Sequence, residues 1–351
     1  MIKYSLIHTI KNYSKKEATP IKLNYLIDYS NKINNHQTIV RSQFIHNELP
    51  IRLSKRIMEL NKLPFELLKL HSMEKVYNLY NDTFKYLIEA KYPKDIESAN
   101  EYSILLKKLK NEHSDINNEI ATALITYNKY NTLSEYEELL INNILYNFYN
   151  SRLSMRFLIT QHLEVGYNQT FYGIINKLCK PHIIIRESID NIEQMSYILY
   201  KKYPKIILNY DKENPSLIYI DSHIKYIVTE ILKNSVRSIM ENNQEKTLIT
   251  IDIKNGKQDL IIKISDLGLG FDRKLVNKIF NFTYTTANIE NYIDKRSIIA
   301  GYGHGLGLSR IYANYFGGDL TIVPFEGVGT DAYIYLNRFG NCEENICDKI
   351  Y

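Results

Sequence analysis

Apolar residues recur at three- and four-residue steps through the first half of the chain and alternate with polar ones through much of the second. From Ile51 to Leu60 (IRLSKRIMEL), along the stripe Val76, Tyr77, Tyr80, Phe84, Leu87 and Ile88, and over two longer stretches, Tyr102 to Tyr127 and Tyr136 to Leu163, the period is that of a helix with one buried face. Pro50, Pro64 and Pro93 fall between these stretches, where proline begins or ends helices. Four helices with short connections predict an up-and-down bundle. A bundle alone names no function, since it can dimerise, dock a partner or enclose a regulatory pocket.

After about Gly166 the pattern changes. Ile183 to Ile185 and Ile206 to Asn209 are apolar runs of strand length, with a helical stretch from Glu187 to Tyr200 between them. LITIDI (Leu248 to Ile253), LIIKIS (Leu260 to Ser265), LTIV (Leu320 to Val323) and AYIYL (Ala332 to Leu336) are expected strands, most of them alternating strictly. Asn255-Gly256 between the first two is a hairpin signal. The second half is expected to hold an antiparallel or mixed sheet with helices on one face. The fold class is therefore α+β, a four-helix bundle followed by an α/β sandwich.

Composition narrows the picture. A chain of 351 residues suits two domains, and 44% hydrophobic with 24% charged residues is enough for proper cores. The net charge of +5 comes from scattered lysines with no long basic run, so no nucleic-acid partner is expected. Cys179, Cys342 and Cys347 are too few for a disulfide framework and lack the neighbours of a zinc site, which reads as an intracellular chain. No apolar stretch approaches the ~18 residues needed to cross a bilayer. Met1 to Lys16 carries lysines, hydroxyl residues and no acid before Glu17, the composition of a matrix-targeting presequence or of an ordinary basic tail.

The residues that carry chemistry lie in the second half. A helix beginning after Asp221 or Ser222, either of which can cap it, would bury Ile224, Ile227, Val228, Ile231, Val236 and Ile239. On another side Tyr226, Glu230, Asn234 and Arg237 follow at steps of four, four and three, placing a carboxylate, a carboxamide and a guanidinium in one column. Alone, that column is the solvated face of any amphipathic helix. After LIIKIS comes Asp266-Leu-Gly268-Leu-Gly270, where a carboxylate at a strand end can accept from a purine amino group while glycines let the backbone pass close to the base. Alone it also reads as an ordinary turn. Gly301-Tyr302-Gly303-His304-Gly305-Leu306-Gly307 opens another apolar helical run and can present backbone N–H groups to phosphate oxygens. A Rossmann turn is excluded because no βαβ unit surrounds it, and a P-loop because no Lys-Ser/Thr follows. Gly327-Val-Gly329-Thr330 precedes the final strand, and Thr330 can offer a hydroxyl to the base side of the same pocket.

These four pieces in this order resemble the nucleotide-binding fold shared by gyrase-type ATPases, heat-shock chaperone ATPases, sensor histidine kinases and the mitochondrial 2-oxoacid dehydrogenase kinases. The last branch is favoured by Glu230-Ile-Leu-Lys233-Asn234-Ser-Val-Arg237, which resembles its ELxKNxxR box, and by Tyr284-Thr285-Thr286-Ala287 and GVGTDAYIYL. It also has counterparts in the helical half: Asn47-Glu-Leu-Pro-Ile-Arg-Leu53, Asn61-Lys-Leu-Pro64, Glu112-His113-Ser-Asp115 and Phe148 to His162. Phe171-Tyr-Gly-Ile-Ile175, Tyr226 where the pyruvate dehydrogenase kinases carry His, and the absence of any Trp lean toward the branched-chain 2-oxoacid dehydrogenase kinase over the pyruvate dehydrogenase kinases. Leu269 and Gly307 depart from the usual Gly and Pro, and the stretch from Asn288 to Ala300 is short for a nucleotide lid.

The resemblance implies a Ser/Thr protein kinase that uses ATP with Mg²⁺ and K⁺ near the phosphates and inactivates the E1 subunit of a 2-oxoacid dehydrogenase complex. Glu230 would be the base, with Lys233 and Arg237 orienting it or binding phosphate, and Asn234 the metal ligand. Asp266, Gly268, Gly270 and Thr330 would hold the base of the nucleotide. Thr285, Thr286 and the loop Gly301, Tyr302, Gly303, His304, Gly305, Leu306 and Gly307 would hold its phosphates. His113, Arg152 and Arg156 would line a regulatory pocket for an anionic 2-oxoacid, although an i,i+4 pair of arginines also suits plain helix salt bridges. The expected domains are a presequence at 1–20, a regulatory and docking bundle at 21–166, the kinase domain at 167–340 and a tail at 341–351. The implied partners are E1, the lipoyl-bearing E2 core and a second copy of the chain, in the mitochondrial matrix. The alternatives are a two-component histidine kinase, for which His113 would be the phosphoacceptor, and a non-catalytic scaffold.

Overall fold

The computed structural model describes residues 2–28, 34–165, 171–211, 217–242, 247–284 and 303–346. The chain divides into two compact units, one made mainly of residues 25–174 with the N-terminal segment, the other of 175–345 with Lys22 to Asn24.

The first unit is helical. Its elements are α1 (Ile2–Ser14), most of α2 (Leu23–Asp28), α3 (Asn35–Leu60), the single turn α4 (Phe65–Leu68), α5 (His71–Glu89), α6 (Ile96–Glu112), α7 (Ile116–Tyr130), α8 (Glu135–Glu164) and a short strand β1 (Phe171–Tyr172). The stripes expected from the sequence are buried, with Val76, Tyr80, Phe84 and Leu87 of α5 all enclosed. Two expectations fail. The stretch from Tyr102 to Tyr127 is two helices, broken at His113 to Asp115, so the unit holds more than four helices among the described residues. The break is fixed from outside, because Arg152 Nη2 donates to the His113 carbonyl at 2.6 Å, at the turn. Pro50 ends nothing: it lies inside α3, where it removes the bond to the His46 carbonyl. Burial of Leu49, Leu53 and Ile57 around it offsets that loss.

The N-terminal segment is part of this core. Ile10 is buried, the Tyr13 ring meets Phe84 edge-on at 5.6 Å, and Thr19 donates its N–H to Glu48 at 2.8 Å. Arg52 ties the same stretch down through the Thr19 carbonyl at 2.7 Å and Glu48 at 2.9 Å. Removal of a presequence ending at residue 20 would take this buried helix with it.

The second unit contains β2 (Ile175–Cys179), α9 (Pro181–Tyr200), β3 (Lys205–Tyr210), β4 (Leu217–Tyr219), α10 (Asp221–Met240), β5 (Leu248–Asn255), β6 (Asp259–Asp266), a 3₁₀ turn at Arg273–Leu275, α11 (Gly305–Asn314), β7 (Asp319–Phe325) and β8 (Gly329–Asn337). Ile183 to Ile185, expected as a strand, belong to α9, which Pro181 starts at its first position. The five-stranded sheet runs β3-β5-β6-β8-β7, with β3 parallel to β5 and the rest antiparallel. Register puts Ile251 opposite Ile264, Ile262 opposite Ile334, and Leu320 opposite Ile334, so the buried side chains of β5, β6, β7 and β8 share one face. That face is covered by helices, α10 against β6 and α11 against β7 and β8. The chain beyond the last strand continues on this unit: Glu344 is buried against the Tyr315 hydroxyl, and Lys22 pairs with Glu343 at 3.3 Å.

Because Ile10 is 2% exposed, Ile10→Ala is expected to lower unfolding free energy by about 2–5 kcal/mol. Urea denaturation of the full chain would read this as a lower midpoint at unchanged slope.

Candidate active site

The candidate site is built around α10. Neither Asp221 nor Ser222 caps it as expected; the cap position is Ile220, and the Asp221 carboxylate instead accepts both available bonds from Asn176 at 3.0 Å. The buried stripe of α10 faces the sheet, which turns the column Tyr226, Glu230, Asn234 and Arg237 away from it. Tyr226 stacks on Tyr312 of α11 at 4.6 Å, so the first member of the column is engaged with the neighbouring helix.

Glu230 and Lys233 are joined, Nζ to Oε1 at 2.8 Å, with both side chains largely enclosed. The Arg237 Nε lies 3.7 Å from Glu241, one turn further on. Asn234 is exposed, and among the described residues its carboxamide has no hydrogen-bond partner.

Asp266 ends β6 with 7% of its surface exposed. Its Oδ2 accepts the Ser235 hydroxyl at 2.9 Å and its Oδ1 the Gly268 N–H at 3.0 Å, while Thr330 sits at the paired position on β8. Burial raises the pKa of this carboxyl above the usual value, and these bonds pull the other way. The glycines beside it are places where the chain touches itself. A Cβ on Gly268 would stand 2.1 Å from the Ser238 hydroxyl. Gly270 has φ +60°, and a Cβ there would meet the Phe325 carbonyl at 2.2 Å.

Gly305 opens α11 beside Glu230, 2.4 Å from Oε2 measured from where its Cβ would be. His304 precedes it, buried, its ring edge-on to Phe282 at 5.3 Å, and burial holds its pKa down at about 4, so it is neutral. Gly303 takes a left-handed φ of +80° at the same entry. Leu306 and Gly307 form the first turn of the helix. Thr285, Thr286, Gly301, Tyr302 and the expected lid, 288–300, lie outside the described residues. The structure thus brings Glu230, Lys233 and Gly305 together, and Asp266 with Gly268 and Thr330. Ser235, Ser238 and Phe282, which buttress these groups, were not singled out from the sequence; Ser235 was discoverable as the polar residue on the buried side of α10 next to Asn234.

In the helical unit, His113, Arg152 and Arg156 do line one cavity, together with Tyr80, Leu53 and Lys110. His113 shares a 2.7 Å bond with the Thr83 hydroxyl, and burial, then the charges of Arg152 and Arg156, lower its pKa to about 3. It is a neutral, packed imidazole. No group of acidic, His or Cys side chains that could hold a metal by itself occurs among the described residues.

Residues 20–176 match the model of the mitochondrial branched-chain alpha-ketoacid dehydrogenase kinase, and residues 220–339 that of the histidine kinase-, DNA gyrase B- and HSP90-like ATPase. The mitochondrial pyruvate dehydrogenase (acetyl-transferring) kinase of Arabidopsis thaliana is 30% identical over 98% of this chain and 97% of its own length. The chain belongs to the mitochondrial 2-oxoacid dehydrogenase kinase family. Isozyme 3 of the mitochondrial pyruvate dehydrogenase kinase of Homo sapiens is 30% identical over 97% of this chain and 88% of its own, and human isozyme 4 is 28% identical over 95% and 84%. The kinase is thus similar over nearly its whole length to proteins named for pyruvate dehydrogenase, while its helical half also matches the branched-chain model. The family carries its ATP-binding fold in the second unit, where the glycines and Asp266 lie. No described helix is long and apolar enough to cross a membrane.

The fit around Gly270 yields a stability test. Gly270→Ala is expected to cost about 2 kcal/mol or more, from the left-handed φ and the clash with a backbone carbonyl. An unchanged unfolding midpoint would contradict that close approach.

Proposed function

We propose that this family kinase transfers the γ-phosphoryl group of ATP to a serine of the E1 subunit of a 2-oxoacid dehydrogenase complex in the mitochondrial matrix, inactivating it. The observation that carries this reading is one carboxylate, Glu230, held at 2.8 Å by Lys233 on a helix that also presents an exposed carboxamide one turn on. Asp266 accepts the adenine amino group with the acceptor capacity that Ser235 and Gly268 leave over. The loop from Gly303 through Gly307 faces the phosphates with backbone N–H groups and the start of α11.

Glu230 takes the proton of the serine hydroxyl as that oxygen forms its bond to the γ-phosphorus and the bond to the departing ADP oxygen breaks. Lys233 holds Oε1, which leaves Oε2 for the proton. Arg237, on the same helix, would help to orient Glu230 or bind phosphate. Asn234 fits a magnesium ligand, because its carboxamide oxygen is exposed and uncommitted among the described residues. Magnesium, when bound, neutralises charge on the phosphates.

The pocket at His113 supports a regulatory role. Two arginines and Lys110 stand beside Leu53, which suits a small anion with a short apolar tail such as a 2-oxoacid. The partners proposed with this function are E1, the lipoyl-bearing E2 core and a second copy of the chain.

The test is incubation with labelled ATP, Mg²⁺, and either K⁺ or Na⁺, in the presence of E1 from the pyruvate or the branched-chain complex. Acid-stable phosphoserine on E1 is expected, and the better E1 substrate identifies the complex. Acid-labile label on the kinase itself, or none, would refute the reading. Glu230→Gln is expected to abolish transfer with ATP still bound. Asn234→Ala is expected to weaken Mg-ATP binding, and an unchanged dissociation constant rules out its role at the metal.

A further inference from the structure

Gly305 is the first residue of α11, and its backbone is outside the left-handed region, so its conformation is open to any ordinary residue. Backbone freedom therefore does not explain a glycine here. Space does. A Cβ at 305 would lie 2.4 Å from Glu230 Oε2 and 3.3 Å from the carboxyl carbon. The first is closer than real Cβ atoms come, so something must move; the second is tighter than most Cβ contacts.

What moves is decided by the surroundings. The start of α11 cannot withdraw easily, because His304 is buried against Phe282 and a Cβ on Gly307 would already meet the Phe280 carbonyl at 2.7 Å. On its other side Glu230 is a flexible arm. Its Oε1 is tethered by Lys233 at 2.8 Å, but rotating the carboxylate away breaks no backbone contact. A methyl group at 305 would therefore leave the fold intact and displace the carboxylate.

We propose that Gly305 is a positioning residue for phosphoryl transfer: its missing side chain is the space in which the Glu230 carboxylate stands. This rests on the reading of Glu230 as the base. It differs from a phosphate-cradling role for the same glycine, because the direction a Cβ would take at 305 leads to Glu230. The loss expected from a substitution is accordingly a loss of rate and not of nucleotide affinity. Displacement of a reacting group by about 1 Å costs on the order of 100-fold in rate.

The experiment compares Gly305→Ala, Glu230→Asp, the double variant and Glu230→Gln in the full chain, using an E1 preparation that the unaltered kinase phosphorylates. Gly305→Ala is expected to lower kcat about 100-fold while the ATP dissociation constant and thermal midpoint stay near those of the parent. Glu230→Asp shortens the arm by one methylene. It is expected to lower kcat when Gly305 is present and to raise it about tenfold in the Gly305→Ala background, a reversal of sign that independent sites cannot give. Unaltered kcat in Gly305→Ala, affinity lost in step with rate, or no rescue by Glu230→Asp would each overturn the proposal. Full activity of Glu230→Gln would overturn the reading of the base instead, and is separable from all of these.

Discussion

A buried carboxylate needs donors, and the supply of donors to Asp266 organises the nucleotide half of the molecule. Two arrive from two elements, a hydroxyl from α10 and an N–H from the loop after β6, and strand pairing brings the start of β8 alongside. Each is close only because another constraint holds. Ser235 reaches inward because α10 lays its apolar stripe on the sheet; Gly268 reaches because it has no side chain to strike Ser238; Thr330 lies alongside because the β6–β8 register pairs it with Asp266. Loss of any donor would leave a charge with too little compensation for its burial. Helix, loop and strand are thereby locked into one geometry before any nucleotide enters.

The same helix carries the proposed chemistry on another side. Asn234 and Ser235 are consecutive, about 100° apart around the axis, so one faces solvent while its neighbour faces Asp266. Glu230 is one turn earlier. A single rigid body therefore carries a donor to Asp266, the candidate metal ligand and the candidate base together, and side chains set on regular structure are held more closely than side chains on loops. The partner of that rigid body is α11, joined to it by Tyr226 on Tyr312 and by the tight approach of Gly305 to Glu230.

How far this was legible in the sequence depended on the range of the forces involved. The strands from Leu248 to Ile264 were readable because alternation is a local property that the sheet then uses directly. The column on α10 was readable for the same reason, at helical period. Ile183 to Ile185 misled because a short β-branched run suits either a strand or a buried helix turn, and Pro181 at the helix start decided it. The break at His113 to Asp115 contains no Gly or Pro; it is held by a guanidinium 39 residues away in sequence, which no window sees. Arg237 shares the period of Glu230, and at the same period its Nε lies 3.7 Å from Glu241. The donors to Asp266 were invisible until the fold assembled them.

The N-terminal segment illustrates the opposite limit. Its lysines and hydroxyl residues have the composition of an address label, yet composition says nothing about whether Ile10 and Tyr13 find a core. The deciding residues lie in α3, where Glu48 and Arg52 are both buried and both extend to Thr19. Such a pair is poorly stabilised without further hydrogen bonds, since removing two charges from water costs several kcal/mol, on the order of what their mutual attraction returns. The backbone at Thr19 supplies those bonds from both its N–H and its carbonyl. The segment is thus held by a polar demand of the bundle as much as by its own apolar residues, and that demand is written about 30 residues downstream of the segment it retains.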